Sequence, residues 1–196
     1  MAQSSATLRQ AALKPGVLVD LLLIGAGAGL VALAAQMRIP LPFTPVPITG
    51  QTFAVLLVGS ALGAWRGLSS LTLYLVLGGI GLPFFAGGER GWQVISGATG
   101  GYLLGFLVAA GVTGWLSERG WDRRFRSSLG AMLTGNVVVY AIGLPWLGAV
   151  AGTDLLDTLE LGLYPFVAGD VLKLYLAAFA LPVAWRLTGR NRERGE

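Results

Sequence analysis

The sequence predicts an all-α integral membrane protein with six transmembrane helices and both termini in the cytoplasm. Three observations support this fold class. Of the 196 residues, 54% are hydrophobic and only 12% are charged, whereas a soluble domain has about a quarter of its residues charged. The mean hydropathy is +0.68, and apolar runs of membrane-spanning length recur along the chain. The basic residues concentrate in alternate loops, as in multi-pass membrane proteins.

Six apolar runs form the predicted spans. They cover residues 17–35, 49–64, 68–85, 98–116, 129–147 and 164–185. The second run is short for a bilayer, which requires about 20 residues. The first is too long and too weakly cationic at its start for a signal peptide, so we expect it to remain in the mature protein. The predicted organisation is a cytoplasmic tail (1–16), a membrane domain (17–187) and a basic cytoplasmic tail (188–196).

Lysine and arginine set the predicted orientation. Most of them fall on the side of the two termini: Arg9, Lys14, Arg66, Arg119, Arg123, Arg124, Arg126, Arg186, Arg190, Arg192 and Arg194. The other side has only Arg38 and Arg90, beside the acidic residues Glu89, Asp154, Asp157 and Glu160. The positive-inside rule therefore places both termini in the cytoplasm, in a multi-pass protein of the cell membrane. This distribution accounts for the net charge of +4 with the lipid bilayer as partner and without nucleic acid.

The residue types exclude several kinds of chemistry. The chain has no Cys and no His, which excludes disulfides, thiol chemistry and imidazole ligands or bases. It has no HExxH motif and no phosphate-binding loop with a Walker lysine. We therefore expect no enzyme activity, no bound metal and no resident cofactor. Any ATP-driven function would need its ATPase on another chain.

The last span carries the strongest candidate site. Asp170 and Lys173 are three residues apart, so their side chains share one helix face and can pair. At about 1.5 Å per residue, both lie in the outer half of the predicted membrane. A structural salt bridge is one interpretation of this pair. We favour a functional site, because a charge in hydrocarbon is costly and usually marks a pathway or binding site.

Two predicted outer loops have unusual backbone composition. Residues 38–51 include Pro40, Pro42, Pro45 and Pro47, and proline favours stiff, extended chain. This loop can lie over a pocket as a lid or serve as a plain connector. Residues 83–106 are rich in glycine, which permits tight turns and close approach of backbone to a ligand. Tight helix packing through glycine explains the second region equally well.

Two further patterns allow more than one interpretation. Asn136 and Tyr140 share a helix face, where they line a pocket or bond to a neighbouring helix. The first span carries small residues at a spacing of four, namely Gly25 with Gly29 and Ala28 with Ala32. This spacing permits close helix contact. From the pattern alone, packing inside the chain is favoured over docking of a membrane partner.

Four segments are more specific in combination. They are residues 45–52, residues 78–83 with 86–88, residues 97–106 and residues 169–173. In this order they resemble the BioY family, the biotin-specific substrate-capture subunits of energy-coupling-factor (ECF) transporters. The resemblance covers about residues 38–187. It differs from some members at Glu89, where they have an amide, and at Leu103, where they have an arginine.

The resemblance implies high-affinity capture of biotin from outside the cell. It also implies a transmembrane coupling subunit and a pair of ATPases as partners, with biotin as substrate and no cofactor on this chain. The expected substrate-binding residues are Asp170, Lys173, Glu89, Gln51, Tyr102, Asn136 and Trp92. The expected partner-docking residues are Ala28 and Ala32, with Gly25 and Gly29 as the alternative pair.

Two other functions remain open at this point. One is an ion-coupled secondary transporter of a small organic anion, with Asp170 as the proton or cation site. The other is a purely structural membrane subunit without a small-molecule ligand. Biotin capture by an ECF subunit depends on partner ATPases for transport, whereas the secondary transporter depends on an ion gradient. This difference separates the two functions.

Overall fold

The computed structural model of the chain describes residues 16–193, which are predominantly α-helical. The helices are α1 (Val17–Gln36), α2 (Gln51–Leu62), α3 (Ala64–Gly79), α4 (Trp92–Ser96), α5 (Gly100–Glu118), α6 (Phe125–Ala151), α7 (Leu155–Gly162) and α8 (Tyr164–Glu193). Two 3-10 turns, Ala86–Gly88 and Trp121–Arg123, lie between helices. Strands β1 (Arg38–Ile39) and β2 (Ile48–Thr49) pair antiparallel, with Arg38 opposite Thr49.

Six of these helices overlap the six predicted apolar runs. Among the described residues, α1, α5, α6 and α8 are long and apolar enough to cross a membrane. Helix α2 is apolar but has only 12 residues, and α3 has 16. Helix α6 has 27 residues and extends the predicted run at both ends. Four membrane-spanning helices are therefore supported by length and composition.

The third run was predicted to extend to residue 85, but α3 begins at Ala64 and ends at Gly79. The chain then reverses at Gly81, which has a φ of 116°, in the region that favours glycine. This reversal folds the Phe85 ring back against Gly78, where an added Cβ would lie 2.4 Å from the ring. The apolar residues after α3 therefore pack onto its end and do not lengthen it.

Helix α2 lies at the centre of the bundle. Each of its residues is buried or half-buried, and it packs against α3, α5 and α8. Close approach to α5 is possible because Gly59 has no side chain: a Cβ there would lie 2.4 Å from the carbonyl oxygen of Ala110. Small residues at helix contacts are typical of membrane proteins, where backbones pack closely.

The bundle has two distinct ends. The hairpin end carries the β1–β2 pair, the turn at Ala86–Gly88 and α7. At the opposite end, the Trp185 indole donates to Asp122 at 2.6 Å, and burial raises the pKa of the Asp122 carboxyl. Exposed or half-buried basic residues surround this opposite end: Arg66, Arg119, Arg123, Arg124, Arg126 and Arg186. Residues 1–15 and 194–196, which include most of the predicted N-terminal tail, lie outside the described residues.

Candidate ligand-binding site

A cavity opens at the hairpin end, between α2, α5, α6 and α8. The segment before β2 and the turn at Ala86–Gly88 lie over it. Its lining residues are Arg38, Pro45, Val46, Pro47, Thr49, Gln51, Thr52, Phe85, Ala86, Glu89, Val94, Thr99, Tyr102, Leu103, Phe106, Asn136, Val139, Tyr140, Phe166, Asp170 and Lys173. The loop containing the four prolines thus contributes Pro45 and Pro47 to the cavity wall.

This loop is also held across the site. The hydroxyl of Thr44 donates to the carbonyl oxygen of Leu161 on α7, at 2.7 Å. Just before the loop, at the end of α1, the Gln36 side chain donates to the carbonyl oxygens of Pro83 and Phe85, at 3.4 and 3.3 Å. Thr44 therefore ties the loop to α7, and Gln36 ties the end of α1 to the segment after α3.

The polar end of the cavity is built on α8. Lys173 Nζ donates to Asp170 Oδ1 at 3.1 Å, and the Tyr140 hydroxyl donates to Asp170 Oδ2. The Asp170 side chain is 6% exposed and that of Lys173 is 17% exposed. Ionised Asp only accepts hydrogen bonds and ionised Lys only donates them. This end therefore offers a ligand both a hydrogen-bond acceptor and a hydrogen-bond donor.

Two amide side chains line the cavity, and they differ in whether their polar atoms have hydrogen-bond partners within the chain. Gln51 donates to the Tyr74 hydroxyl at 2.7 Å and accepts from the Thr49 hydroxyl at 3.0 Å, so its amide is held by the chain itself. Asn136 is 8% exposed, and its Oδ1 has no hydrogen-bond partner among the described residues. Buried polar atoms are normally paired. Asn136 is therefore the better candidate for a direct ligand contact.

The remaining wall is mostly apolar. Phe85, Phe106 and Phe166 are all buried and lie along the cavity with Val139 and Tyr102. The Tyr102 hydroxyl donates to the carbonyl oxygen of Gly162 at 2.8 Å, which directs it away from a ligand and leaves the ring as the exposed surface. Mostly apolar walls with a few placed polar groups are typical of small-molecule sites.

The mouth of the cavity contains a second ion pair. Arg38 Nη1 lies 3.2 Å from Glu89 Oε1, with 32% and 49% of the two side chains exposed. Glu89 is among the residues predicted to bind substrate and Arg38 is not, because a lone loop arginine is also explained by topology. Phe106 and Phe166 are also absent from that prediction, since they are apolar residues within apolar helices and carry no distinguishing signal.

Among the residues predicted to bind substrate, Asp170, Lys173, Glu89, Gln51, Tyr102 and Asn136 all line the cavity. Trp92 does not. It begins the short helix α4, is 70% exposed and is absent from the cavity wall. The sequence shows only that Trp92 is an aromatic residue next to a glycine-rich loop. It does not distinguish a side chain that faces the cavity from one that faces outward.

The small residues of α1 separate into two groups. Ala28 and Ala32 are buried, at 1% and 8% exposed, and pack inside the bundle. Gly25 and Gly29 are exposed, and no atom lies within 4 Å of a Cβ added to either. The alanine pair predicted for docking is thus occupied by contacts within the chain, whereas the glycine pair is open on the surface.

Comparison with known proteins identifies the family. A model of the BioY family matches residues 4–190. The chain belongs to the BioY family. The biotin transporter BioY of Rhizobium etli is 40% identical over 156 residues, covering 76% of this chain and 83% of that protein. The biotin transporter BioY of Thermotoga maritima is 35% identical over 182 residues, covering 93% and 98%.

A solved structure agrees with this assignment. The S-component for biotin from an ECF-type ABC transporter superposes with a TM-score of 0.78 and 26% sequence identity. The match covers 86% of this chain and 92% of that one. As a member of the BioY family, this chain is a multi-pass membrane protein and a transporter subunit, not an enzyme.

Proposed function

We propose that this BioY-family chain captures biotin at its hairpin end and serves as the substrate-binding subunit of an ECF-type ATP-driven transporter. The observation that carries the proposal is the cavity. It is mostly apolar, its polar end is formed by Asp170 and Lys173, and it lies in a chain whose relatives are named biotin transporters. Biotin is the transported substrate here and not a cofactor.

The polar end and the apolar wall of the cavity suit the bicyclic ring of biotin. The ureido ring presents two N–H donors and one carbonyl acceptor. Asp170 accepts from a ureido N–H, Lys173 donates to the ureido carbonyl, and the Asn136 oxygen accepts the second N–H. The bicyclic ring then packs against Phe85, Phe106 and Phe166, which supply the apolar contact that such pockets need.

The proposed topology has six spans with both termini in the cytoplasm. Four helices have the length to cross the bilayer, and the shorter helices α2 and α3 complete the count. The basic residues at the opposite end support a cytoplasmic location for it, because cytoplasmic loops are enriched in Lys and Arg. The hairpin end, with Glu89, Asp154, Asp157 and Glu160, then faces outward.

The proposed energy source is a partner. The sequence has no phosphate-binding loop with a Walker lysine, so an ATP-driven system would carry its ATPase on another chain. We propose ATPase subunits and a transmembrane coupling subunit as these partners. The surface proposed to dock the coupling subunit is the exposed pair Gly25 and Gly29 on α1. Two helix backbones can approach closely at such a pair.

Binding of biotin to the purified protein tests the proposal. We expect saturable binding of one biotin per chain by calorimetry in detergent, with displacement of labelled biotin. A monodisperse sample that gives no heat and no displacement of labelled biotin would reject the proposal.

For uptake in cells, we expect dependence on co-expressed ECF partners with an intact ATPase. Uptake by this chain alone that collapses with the proton or sodium gradient would favour the ion-coupled transporter instead.

A further inference from the structure

The charged residues of the cavity form two separate ion pairs. Among the described lining residues, the charged ones are Arg38, Glu89, Asp170 and Lys173. Lys173 pairs with Asp170 at the polar end, where both side chains are largely buried. Arg38 pairs with Glu89 at the mouth, where both are partly exposed. A ligand that fills the cavity therefore meets one cation at each end.

The two cations differ in their suitability for an anionic group. Next to Lys173, both oxygens of Asp170 carry hydrogen bonds, from Lys173 and from Tyr140. A ligand carboxylate bound there would lie beside a second carboxylate in a buried site, where like charges repel strongly. The polar end is therefore better suited to a neutral hydrogen-bonding group.

Arg38 has unused hydrogen-bonding capacity. Its contacts within the described chain all use Nη1, which faces Glu89 at 3.2 Å and the Ala86 carbonyl oxygen at 3.5 Å. A guanidinium has five N–H donors in a fork that matches a carboxylate. The nitrogens that Glu89 does not contact can therefore donate to a ligand carboxylate, which then competes with Glu89 for the guanidinium.

The fold makes specific room for this side chain. Gly87 has a φ of 70°, a conformation that favours glycine. A Cβ on Gly87 would lie 2.6 Å from Arg38 Nη1 and 2.8 Å from Arg38 Cδ. The glycine at this turn thus allows the Arg38 side chain to lie along the turn, beside the opening of the cavity.

We propose that Arg38 determines specificity by binding the carboxylate of the substrate, and that Glu89 competes with this carboxylate for the Arg38 guanidinium. The inference rests on the proposed capture of biotin. The neutral ureido ring enters the polar end, and the valeric acid tail points to the mouth. Its carboxylate then takes the fork of Arg38 and competes with Glu89 for it.

The test compares biotin with biotinamide, in which a neutral carboxamide replaces the carboxylate and the ring is unchanged. We expect the native protein to bind biotin about 10–100-fold more tightly than biotinamide, as for the loss of one charged hydrogen-bonding pair. Arg38→Gln should remove this preference, by weakening biotin binding and leaving biotinamide binding nearly unchanged. Glu89→Gln should tighten biotin binding, because it removes the competing carboxylate.

Arg90→Gln is the matched control. Arg90 is exposed and adjacent to Glu89, and it lines a neighbouring groove and not the cavity itself. The same change of charge there should preserve the preference for biotin. Arg38→Lys, which keeps the charge and loses the fork, should give an intermediate preference and provides a second variant if Arg38→Gln does not fold.

The outcomes separate this inference from the proposed function. Equal binding of biotin and biotinamide by the native protein would overturn the role of Arg38 and leave biotin capture intact. An Arg38→Gln variant that keeps the native preference for biotin would also overturn this role. The same holds if Arg90→Gln loses the preference and Arg38→Gln keeps it. Failure of the native protein to bind either compound would instead reject the proposed function.

Discussion

At the scale of single residues, Asp170 uses both carboxylate oxygens within the protein before any ligand binds. Lys173 and Tyr140 hold it from two directions, so its position is fixed. A fixed acceptor loses little conformational freedom on binding, and such preorganisation improves affinity. The pair therefore both supports the fold and contributes to the proposed site.

Replacing either charge should impair binding. Asp170→Asn and Lys173→Ala each remove a charged hydrogen-bonding group, worth about 1.5–3 kcal/mol. We expect biotin affinity to fall by about 10–100-fold, measured by calorimetry on monodisperse protein. Both variants should also unfold at lower temperature, because each leaves a largely buried charge without its partner.

Asp157→Asn provides the control for this pair. Asp157 lies exposed on α7, so the same substitution there should change neither affinity nor unfolding temperature. Well-folded Asp170→Asn and Lys173→Ala with native affinity would show that the pair serves only helix packing.

The candidate residues that are predictable from the sequence are those that are unusual for a membrane segment. Charges within an apolar run, such as Asp170 and Lys173, are visible without coordinates because hydrocarbon penalises them. Arg38 was not identified, since its pairing with Glu89 depends on how two distant loops fold together. The difference between Gln51 and Asn136 was equally hidden, because it depends on whether Tyr74 reaches the amide.

At the scale of helices, the junction of α5 and α6 depends on the absence of side chains. Trp146 of α6 packs directly on Gly101, where an added Cβ would lie 2.2 Å from the Trp146 Cβ. The Trp146 indole donates to the carbonyl oxygen of Gly97 at 2.9 Å. This contact fixes the loop before α5, which carries Thr99 of the cavity wall.

Gly101→Ala should therefore destabilise the protein. Forcing a methyl group into a well-packed contact costs typically about 1–3 kcal/mol, and it should lower the unfolding temperature followed by tryptophan fluorescence in detergent. Gly29→Ala is the matched control, since the space around Gly29 is open. We expect no loss of stability there, because alanine favours a helix over glycine. A tolerated Gly101→Ala would mean that α5 and α6 separate readily.

The positions of the helices were mostly predictable, but their ends were less so. Apolar composition alone indicates where a chain can cross the bilayer. The end of α3 depends on Phe85 folding back onto Gly78. This is a tertiary contact, which hydropathy does not predict. Helix α7 was not predicted, although Asp154 caps it by accepting from the Asp157 amide at 2.9 Å, and Asp is a preferred cap.

At the scale of the whole molecule, the absence of cysteine makes the orientation directly measurable. Single cysteines can be placed at exposed positions of the two ends, as Asp157→Cys at the hairpin end and Arg126→Cys at the opposite end. With a membrane-impermeant maleimide, we expect Asp157→Cys to be labelled in intact cells. Arg126→Cys should be labelled only after permeabilisation. The reverse pattern would invert the proposed topology.

Docking of the coupling subunit can be tested on two faces of α1. Gly29→Trp places bulk on the exposed face and should prevent co-purification with the partner while biotin affinity is retained. Ala28→Trp places the same bulk in the core, where Ala28 is 1% exposed, and should impair folding. Leu133→Trp, on an exposed position of α6, controls for added bulk facing lipid. Normal co-purification of Gly29→Trp would exclude this face as the docking surface.

The shortness of α2 has an electrical consequence. Its 12 residues span about 18 Å, roughly 12 Å less than the hydrocarbon core, and its first residue, Gln51, lines the cavity. A ligand at the polar end thus lies within the transmembrane field, where a full crossing costs about 2.3 kcal/mol per charge per 100 mV. With the carboxylate held at the mouth by Arg38, only the uncharged ring enters that field. We expect biotin affinity in proteoliposomes to be unaffected by an imposed potassium diffusion potential. Binding that weakens as the interior becomes negative would place the carboxylate at the deep end, beside Lys173.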